Sequence, residues 1–507
     1  MSPSTPNAAK PLIVVLSDLH IADDSPTVWY QSSIHNPYLA GICTWVIDNA
    51  DTISEMVLLG DVVDFWTHPP DVTPPTFAQI LAAQPEIFGP TGFFGRVLDA
   101  LDGAVTYVPG NHDMGVTAQD VAAVVSARGR VMRFADSVYY PLGDDDRRVA
   151  LAHGNAYTMF NAPDADSPWA PLPVGHFVTR MVAGKWAREL PPGHTVATLP
   201  GQGAPNGLDI SAIVKGAIAR GDVSVSRALL DSVAAQTGAP ANQSFILPGG
   251  QVVRLDADVQ PAYVNLYTDW VRASGGGVIG NLIAAKSALA DAAAYFMGWF
   301  AQKQAFESGA RIVAFGHTHA PISGIDTTLV RYANAGFECP STADMPPQAV
   351  NFIVIDTDAC TAQVMQAANQ GRDITRYAAP ITPIVELGAD FSCYVMIENR
   401  GPDVMTLSGA PSTESGYWVV PPPAGIDPGA TAYIWLQDYP GPVGSQGAVS
   451  YRSSSRGEQA FTFECPTMSS NDCSGGRGFR SKSGHGDWGE PGHIPSGGHP
   501  FYVDFTA

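Results

Sequence analysis

A chain of 507 residues with 45% apolar and 15% charged side chains has the composition of a globular protein, with room for two to four domains or one large domain and a smaller one. Its formal net charge of −21 argues against nucleic acid or another extended polyanion as partner, while a small phosphorylated molecule held through bound cations stays compatible. The 51 glycines and 42 prolines point to long and numerous loops.

Residues 1–10 are polar and rich in Pro, Ser and Ala, and the apolar run 11–16 is too short for a signal-peptide core. A cytoplasmic location is therefore expected, with peripheral membrane association or non-classical export as the alternatives. No transmembrane segment is predicted; the best stretch, 278–300, is interrupted by Asn281, Lys286 and Asp291 and reads as a core helix. The six cysteines have irregular spacing and read as free thiols, with Cys465 and Cys473 able to close a small loop in an exported protein.

Five short runs rich in Val, Ile and Leu, at 12–16, 56–59, 104–108, 148–152 and 311–315, read as buried strands. Each is followed at once by a polar motif. In order these are Asp18-x-His20, Gly60-Asp61-x-x-Asp64, Gly110-Asn111-His112-Asp113, His153-Gly154-Asn155 and Gly316-His317-x-His319. Helical stretches, such as 37–49 and 94–101, lie between several of them, which indicates a layered α/β core with its polar residues at the C-terminal strand ends.

The fourth and fifth motifs are separated by an insertion at about 156–310. It carries predicted helices at 175–189, 210–220 and 224–236, a Pro/Gly-rich loop at 191–207 and a long amphipathic helix at about 278–308. It is a candidate lid or specificity element, or else a distal elaboration. Strand-like runs at 328–332 and 351–356 complete a catalytic domain expected over 11–372, followed by a linker at 373–383. From 384 to 507 the pattern becomes short alternating runs, at 393–398, 417–420, 432–436 and 458–463, separated by turn residues, as in an all-β sandwich. The Gly/Ser/His-rich stretch 474–499 reads as a long loop before a closing strand at 500–505.

The five motifs supply carboxylate, amide and imidazole donors for two cations. A bridging ligand needs two oxygens; Asp61, with Gly60 letting the backbone pass close, is the candidate. Asp18 and His20 stand two apart on extended chain and can chelate one ion; Asn111, His153, His317 and His319 complete the set. Mixed N/O ligation without thiolate suits two divalent or trivalent ions, with Mn, Fe or Zn favoured. Such ions would stand about 3.5–4 Å apart and activate a bridging water for in-line attack on phosphorus. His112 is not needed for coordination and is placed to protonate the leaving oxygen. Asp113 is expected to hydrogen-bond its ring, and Asp64 to position the loop or the ligands from behind.

In this order the motifs resemble those of the calcineurin-like metallophosphoesterases, over roughly residues 11–360 with the insertion unmatched. The resemblance implies a four-layer α/β/β/α sandwich and a dinuclear centre. It implies one metal on Asp18, His20, Asp61 and His319 and the other on Asp61, Asn111, His153 and His317. Ser17–His20, Gly60–Trp66 and Gly316–Pro321 are nearest to the UDP-2,3-diacylglucosamine pyrophosphatase branch. This chain departs from that branch at His112, where Arg is common, and in its insertion and C-terminal module. The expected activity is hydrolysis of a phosphomonoester, phosphodiester or pyrophosphate in a small or lipid-linked substrate.

Arg180, Lys185 and Arg188 share the predicted helix 175–189 and would grip a substrate phosphate if the insertion folds over the metals; the alternative is a solvated helix face. His176 and His194 are read as structural or surface groups rather than site groups. Asp144-Asp145-Asp146 read as an exposed hairpin, not a calcium loop. The aromatics Tyr417, Trp418, Tyr433, Trp435 and Tyr439 form either a sandwich core or a surface for membrane headgroups or glycans. Residues 384–467 bear a loose similarity to aegerolysin-type membrane-binding β-sandwiches. A lipid- or glycan-binding protein acting through this module, and a nuclease, are the competing readings.

Overall fold

The computed structural model describes residues 10–141, 148–198, 210–220, 224–290, 294–325, 327, 329–337, 349–383, 390–441 and 443–507. Asp144–Asp146, Cys339 and part of the 191–207 loop lie outside these residues.

Leu12–Leu16 and Ile53–Leu59 are apolar at nearly every position because both faces of their sheet are covered. Val14, Leu16, Met56 and Leu58 pack against helices Ser32–Asp48 and Phe93–Ala100. Ile13, Val15, Val57 and Leu59 point the other way, onto Val149, Leu151, Ile312 and Ala314 of a second sheet. The first sheet has seven strands, in the order Asp373–Arg376, Thr361–Ala368, Ala349–Asp356, Leu12–Leu16, Ile53–Leu59, Val105–Val108 and Arg133–Phe134. The second has three parallel strands, Val149–Leu151, Ile312–Phe315 and Arg331–Asn334. Its outer face meets the helix Ala294–Ser308 and the insertion.

All five expected strands form, with ends shifted by a few residues, and every polar motif leaves its strand where expected. Three differences stand out. The stretch expected as a linker begins with Asp373–Arg376, the edge strand of the large sheet. The long helix expected at 278–308 is two helices, Gly277–Leu289 and Ala294–Ser308. The loop expected at 474–499 contains the strand Gly478–Ser483, paired along its whole length with Phe501–Thr506.

Arg180 departs from expectation as well. It is fully buried, and its guanidinium is surrounded by carbonyl oxygens rather than aimed at the motifs. Nε donates to His68 O at 3.2 Å, Nη2 to Pro69 O at 2.6 Å and Val72 O at 2.5 Å, and Nη1 to Ile246 O. Burial lowers its pKa to about 10, so it remains charged at neutral pH. It fastens the insertion to the loop after Asp64. Lys185 pairs with Glu189 and lies over the Trp186 ring, and Arg188 donates to Thr237 O, so all three cations have structural partners in place of a phosphate. Arg180→Met leaves four carbonyls without their donor. It is expected to cost about 3 kcal/mol or more in denaturant unfolding.

The C-terminal region is β-rich. A five-stranded sheet runs Tyr417–Val420, Thr431–Gln437, Cys393–Glu398, Phe501–Thr506, Gly478–Ser483. A second sheet is built around Ser445–Ser453 and Gly457–Cys465, and the core between the two holds Val395, Ile434, Phe461 and Phe505. The outer face of the first sheet is not open. Trp435 meets Trp299 at 5.2 Å between centroids, Tyr433 and Tyr394 meet Phe306, and Trp299 Nε1 donates to Gln437 Oε1 at 2.8 Å. Tyr417 is buried beside Tyr439, and Trp418 turns inward to Phe463. The aromatic set thus docks the module onto the helix Ala294–Ser308 and does not form a free binding face. Truncating Trp299 to Ala should remove about 3–5 kcal/mol, read as a lower unfolding midpoint.

The five described cysteines are free; Cys465 and Cys473 form no disulfide. Among the described residues no helix is long and apolar enough to cross a membrane.

Candidate metal centre

The loops after five strands converge, although His20 and His319 are 299 residues apart. Their backbones are unusual. Asp18, His20, Asp61, His317 and His319 all have positive φ, between 52° and 71°. Left-handed backbone disfavours any residue with a Cβ and concentrates at functional sites. The extended-chain argument for Asp18 and His20 is corrected here: two left-handed turns, not a pleat, bring them to one side. Gly60 and Gly110 leave the room required. A Cβ on Gly60 would lie 2.3 Å from the His153 ring, and one on Gly110 would lie 2.3 Å from Asp61 Oδ1.

Among the described residues the side chains form three groups of possible cation donors, Asp18–His20–His319, Asp61–His153–His317 and His20–Asp64–His112; in the third, Asp64 Oδ2 already engages His20 Nδ1 at 2.8 Å and lies 3.0 Å from His112 Nδ1. In the first, His20 Nε2 faces His319 Nε2 at 3.2 Å and Asp18 Oδ1 is 3.6 Å from His319 Nε2. In the second, Asn111 Oδ1 is 3.2 Å from His153 Nε2 and 2.9 Å from His317 Nδ1. Asp61 Oδ2 lies between the groups, 3.2 Å from His153 Nε2 and 3.8 Å from His20 Nε2. All seven expected ligands are therefore brought together.

The outer nitrogens set the tautomers. His20 Nδ1 bonds Asp64 Oδ2 at 2.8 Å and His153 Nδ1 bonds Leu59 O at 2.9 Å, so each presents the Nε2 lone pair to the centre. His317 is reversed: Nε2 meets Thr158 Oγ1 at 3.3 Å and Nδ1 faces inward. The donor set fits cations. Asp18 Oδ2 is buried with no hydrogen-bond partner, and the His20 Nε2 lone pair points at His319 Nε2 at 3.2 Å, an arrangement that an ion between the rings would satisfy.

The charges agree. Burial alone would raise the Asp61 carboxyl, but His153 and His112 hold it well below the usual range. Burial lowers His153, yet Asp61, Asp18 and the Leu59 carbonyl together lift the ring to about 10, so without an ion a proton takes the place beside Asp61 that the ion would fill. His319 is brought down to about 4 by burial, with His20 adding to the effect and Asp18 opposing it. It is a neutral imidazole with its side chain 27% exposed, which leaves the first group open to solvent.

His112 stands in the third group, behind His20, and outside the two that meet at Asp61. Its backbone N–H donates to Asp61 Oδ1 at 2.8 Å, and its Nδ1 lies 3.0 Å from Asp64 Oδ2. Burial pulls its pKa down, but the carboxylates of Asp64 and Asp61 together raise it. This corrects the expected pairing with Asp113. The Asp113 carboxylate accepts from the backbone N–H groups of Gly110, Val62 and Asp61 and from Tyr107 Oη at 2.5 Å, and so ties two motif loops together. Asp64 does what was expected and more. It caps the loop through Trp66 N at 2.7 Å and Thr67 N at 3.0 Å while orienting both His20 and His112.

Sequence reasoning missed the ring pair around His112. Trp66 stacks on it at 4.5 Å and 29°, and Trp29 lies 5.3 Å away while also touching His20 and His319. Trp66 follows the second motif directly and was within reach of inspection; Trp29 stands alone in a loop and carries no pattern. Aromatic faces favour the protonated ring. His176 is buried edge-on against Trp66, away from both groups, and burial holds it well below its usual pKa; His194 is exposed.

No family model and no curated protein matches this chain. Among solved structures, a dimetal phosphatase from Danio rerio aligns at 11% identity with a TM-score of 0.28, covering 73% of this chain and 98% of its own. The lipid-binding protein Nakanori aligns at 11% identity with a TM-score of 0.18, covering 24% of this chain and 71% of its own. At these TM-scores neither alignment decides fold or reaction.

Proposed function

We propose that this protein is a dinuclear metal-dependent phosphoesterase. The observation that carries the reading is the position of Asp61 Oδ2, within 3.8 Å of the inward nitrogens of both donor groups, as a bridging carboxylate requires. Asp18, His20, Asp61 and His319 would hold one ion, and Asp61, Asn111, His153 and His317 the other. The packing of helices, two sheets and further helices supports a four-layer α/β/β/α catalytic unit, running to the strand Asp373–Arg376 and followed by the β module.

When bound, the two ions supply a water nucleophile at neutral pH and neutralise phosphoryl oxygens. The chain's own residues do the rest. Asp64 fixes His20 for coordination and holds a proton on His112 Nδ1. With Nδ1 turned toward Asp64, His112 Nε2 is the nitrogen left to give a proton to the leaving oxygen. Trp66 and Trp29 keep that ring in place and limit water around it.

The test is a screen of mono-, di- and pyrophosphate esters on metal-stripped protein resupplied with Mn, Fe or Zn. Turnover that returns with metal supports the reading. Stripped protein that binds about two ions per chain yet hydrolyses none of these esters would sink it.

A further inference from the structure

Beside His112 a half-enclosed cavity of about 670 Å³ opens between the catalytic domain and the insertion. One wall is Phe65, Trp66 and Met114; the other, contributed by the insertion, is Trp169, Leu172 and Leu247. Its volume is that of a small-molecule site. Its chemistry is one-sided. Among the described residues no Lys or Arg lines it, and Asp120 is its one carboxylate. The cations that sequence inspection places on the insertion, Arg180, Lys185 and Arg188, are engaged elsewhere.

On the phosphoesterase reading, which this inference rests on, the leaving oxygen departs on the His112 side. His112 is the residue shared by the metal centre and the cavity. The group attached to that oxygen therefore enters a mainly apolar space whose polar side chains, apart from His112 and Asp120, are the neutral Thr73, Thr76, Gln79 and Gln251. A leaving phosphate, as in a pyrophosphate, would lose its water there with no cation to replace it, and would face Asp120. We infer that this cavity is the leaving-group site and that the substrate is a phosphate ester of an uncharged, apolar alcohol of aromatic or compact aliphatic type. The reaction then breaks the bond between phosphorus and the alcohol oxygen. Water supplies the hydroxyl that stays on phosphorus, and His112 gives its proton to the departing alkoxide. The prolines along the rim, among them Pro75, Pro171 and Pro248, keep the walls in place before the ligand arrives.

The experiment uses the full chain loaded with Mn and a series of esters whose leaving phenols have closely similar acidity: phenyl, 4-butylphenyl and 2-naphthyl, each as monoester and methyl diester. kcat/KM is expected to rise about 10- to 100-fold from phenyl to the larger groups, as burial of that much apolar surface provides. In Trp169→Ala the rise should shrink to about 3-fold or less. Because that variant could lose its fold, inhibition of the unaltered protein by free 2-naphthol serves as a second reading, and it should be competitive. A flat series, faster hydrolysis of a pyrophosphate such as ADP-ribose, or no inhibition by the naphthol overturns the assignment while leaving the phosphoesterase reading standing. Failure to hydrolyse any ester with metal present overturns both.

Discussion

Asp61→Asn should lower metal-dependent turnover by more than about 100-fold and leave the protein folded. Asn keeps the size of the side chain and an oxygen for the His112 N–H, which Asp61 Oδ1 now accepts at 2.8 Å. It removes the negative charge and one of the two oxygens that the donor groups share. The carboxylate is fully buried and is held ionised by His153 and His112 against the cost of desolvation. In the variant His153 loses the partner that lifts it to about 10, so its pKa should fall. The checks are metal content per chain after dialysis and kcat on the ester identified in the screen. Near-normal turnover with two ions bound would remove Asp61 from the bridging role.

His112→Ala is the second large effect, and its signature is selective. General acids contribute about 10²- to 10⁴-fold, and only where the leaving group needs the proton. Esters of alkylphenols should lose that amount, while 4-nitrophenyl esters should lose about 10-fold or less. Metal content should stay near that of the unaltered protein, since the proposed ion pair rests on the two groups that meet at Asp61 and His112 is outside both. Equal losses on both ester types would remove the acid role and leave His112 as a packing residue between Trp66 and Trp29.

The part of this centre that was legible from sequence is the part written next to a strand. Asp18, Asp61, Asn111, His153 and His317 each follow an apolar run at once, so locating the strands also locates the donors. What could not be read depends on distance through space. Asp64 and Asp113 are both carboxylates one to three residues from a ligand, and nothing in their spacing says which will meet His112; the left-handed turns at Asp18, His20 and Asp61 decide it. Arg180 follows a helical pattern shared with Lys185 and Arg188 that suits a solvated face. It is buried because carbonyls from 68–72 and from Ile246 surround it, groups at least 66 residues away. The module's aromatics fitted a sandwich core or a headgroup- or glycan-binding surface equally, because the helix Ala294–Ser308 that meets Tyr394, Tyr433 and Trp435 is distant in sequence. Thr361–Ala368 mixes polar and apolar residues because most of its positions are only partly covered, so it was not recognised as a strand.

The large sheet also sets a timetable for synthesis. Leu12–Leu16 needs Ala349–Asp356 as its antiparallel neighbour, and His20 waits for His319. Until the ribosome has passed residue 319 the first donors have no His317 and His319 to meet, and until about residue 356 Leu12–Leu16 has an open edge. The wall of Trp299 and Phe306 stays wet for longer still, until the module strands Cys393–Glu398 and Thr431–Gln437 emerge. On the proposed reading, ion capture would be a late event in the life of each chain, and a nascent chain stalled within the insertion would carry carboxylates and imidazoles without the partners that complete the two donor groups.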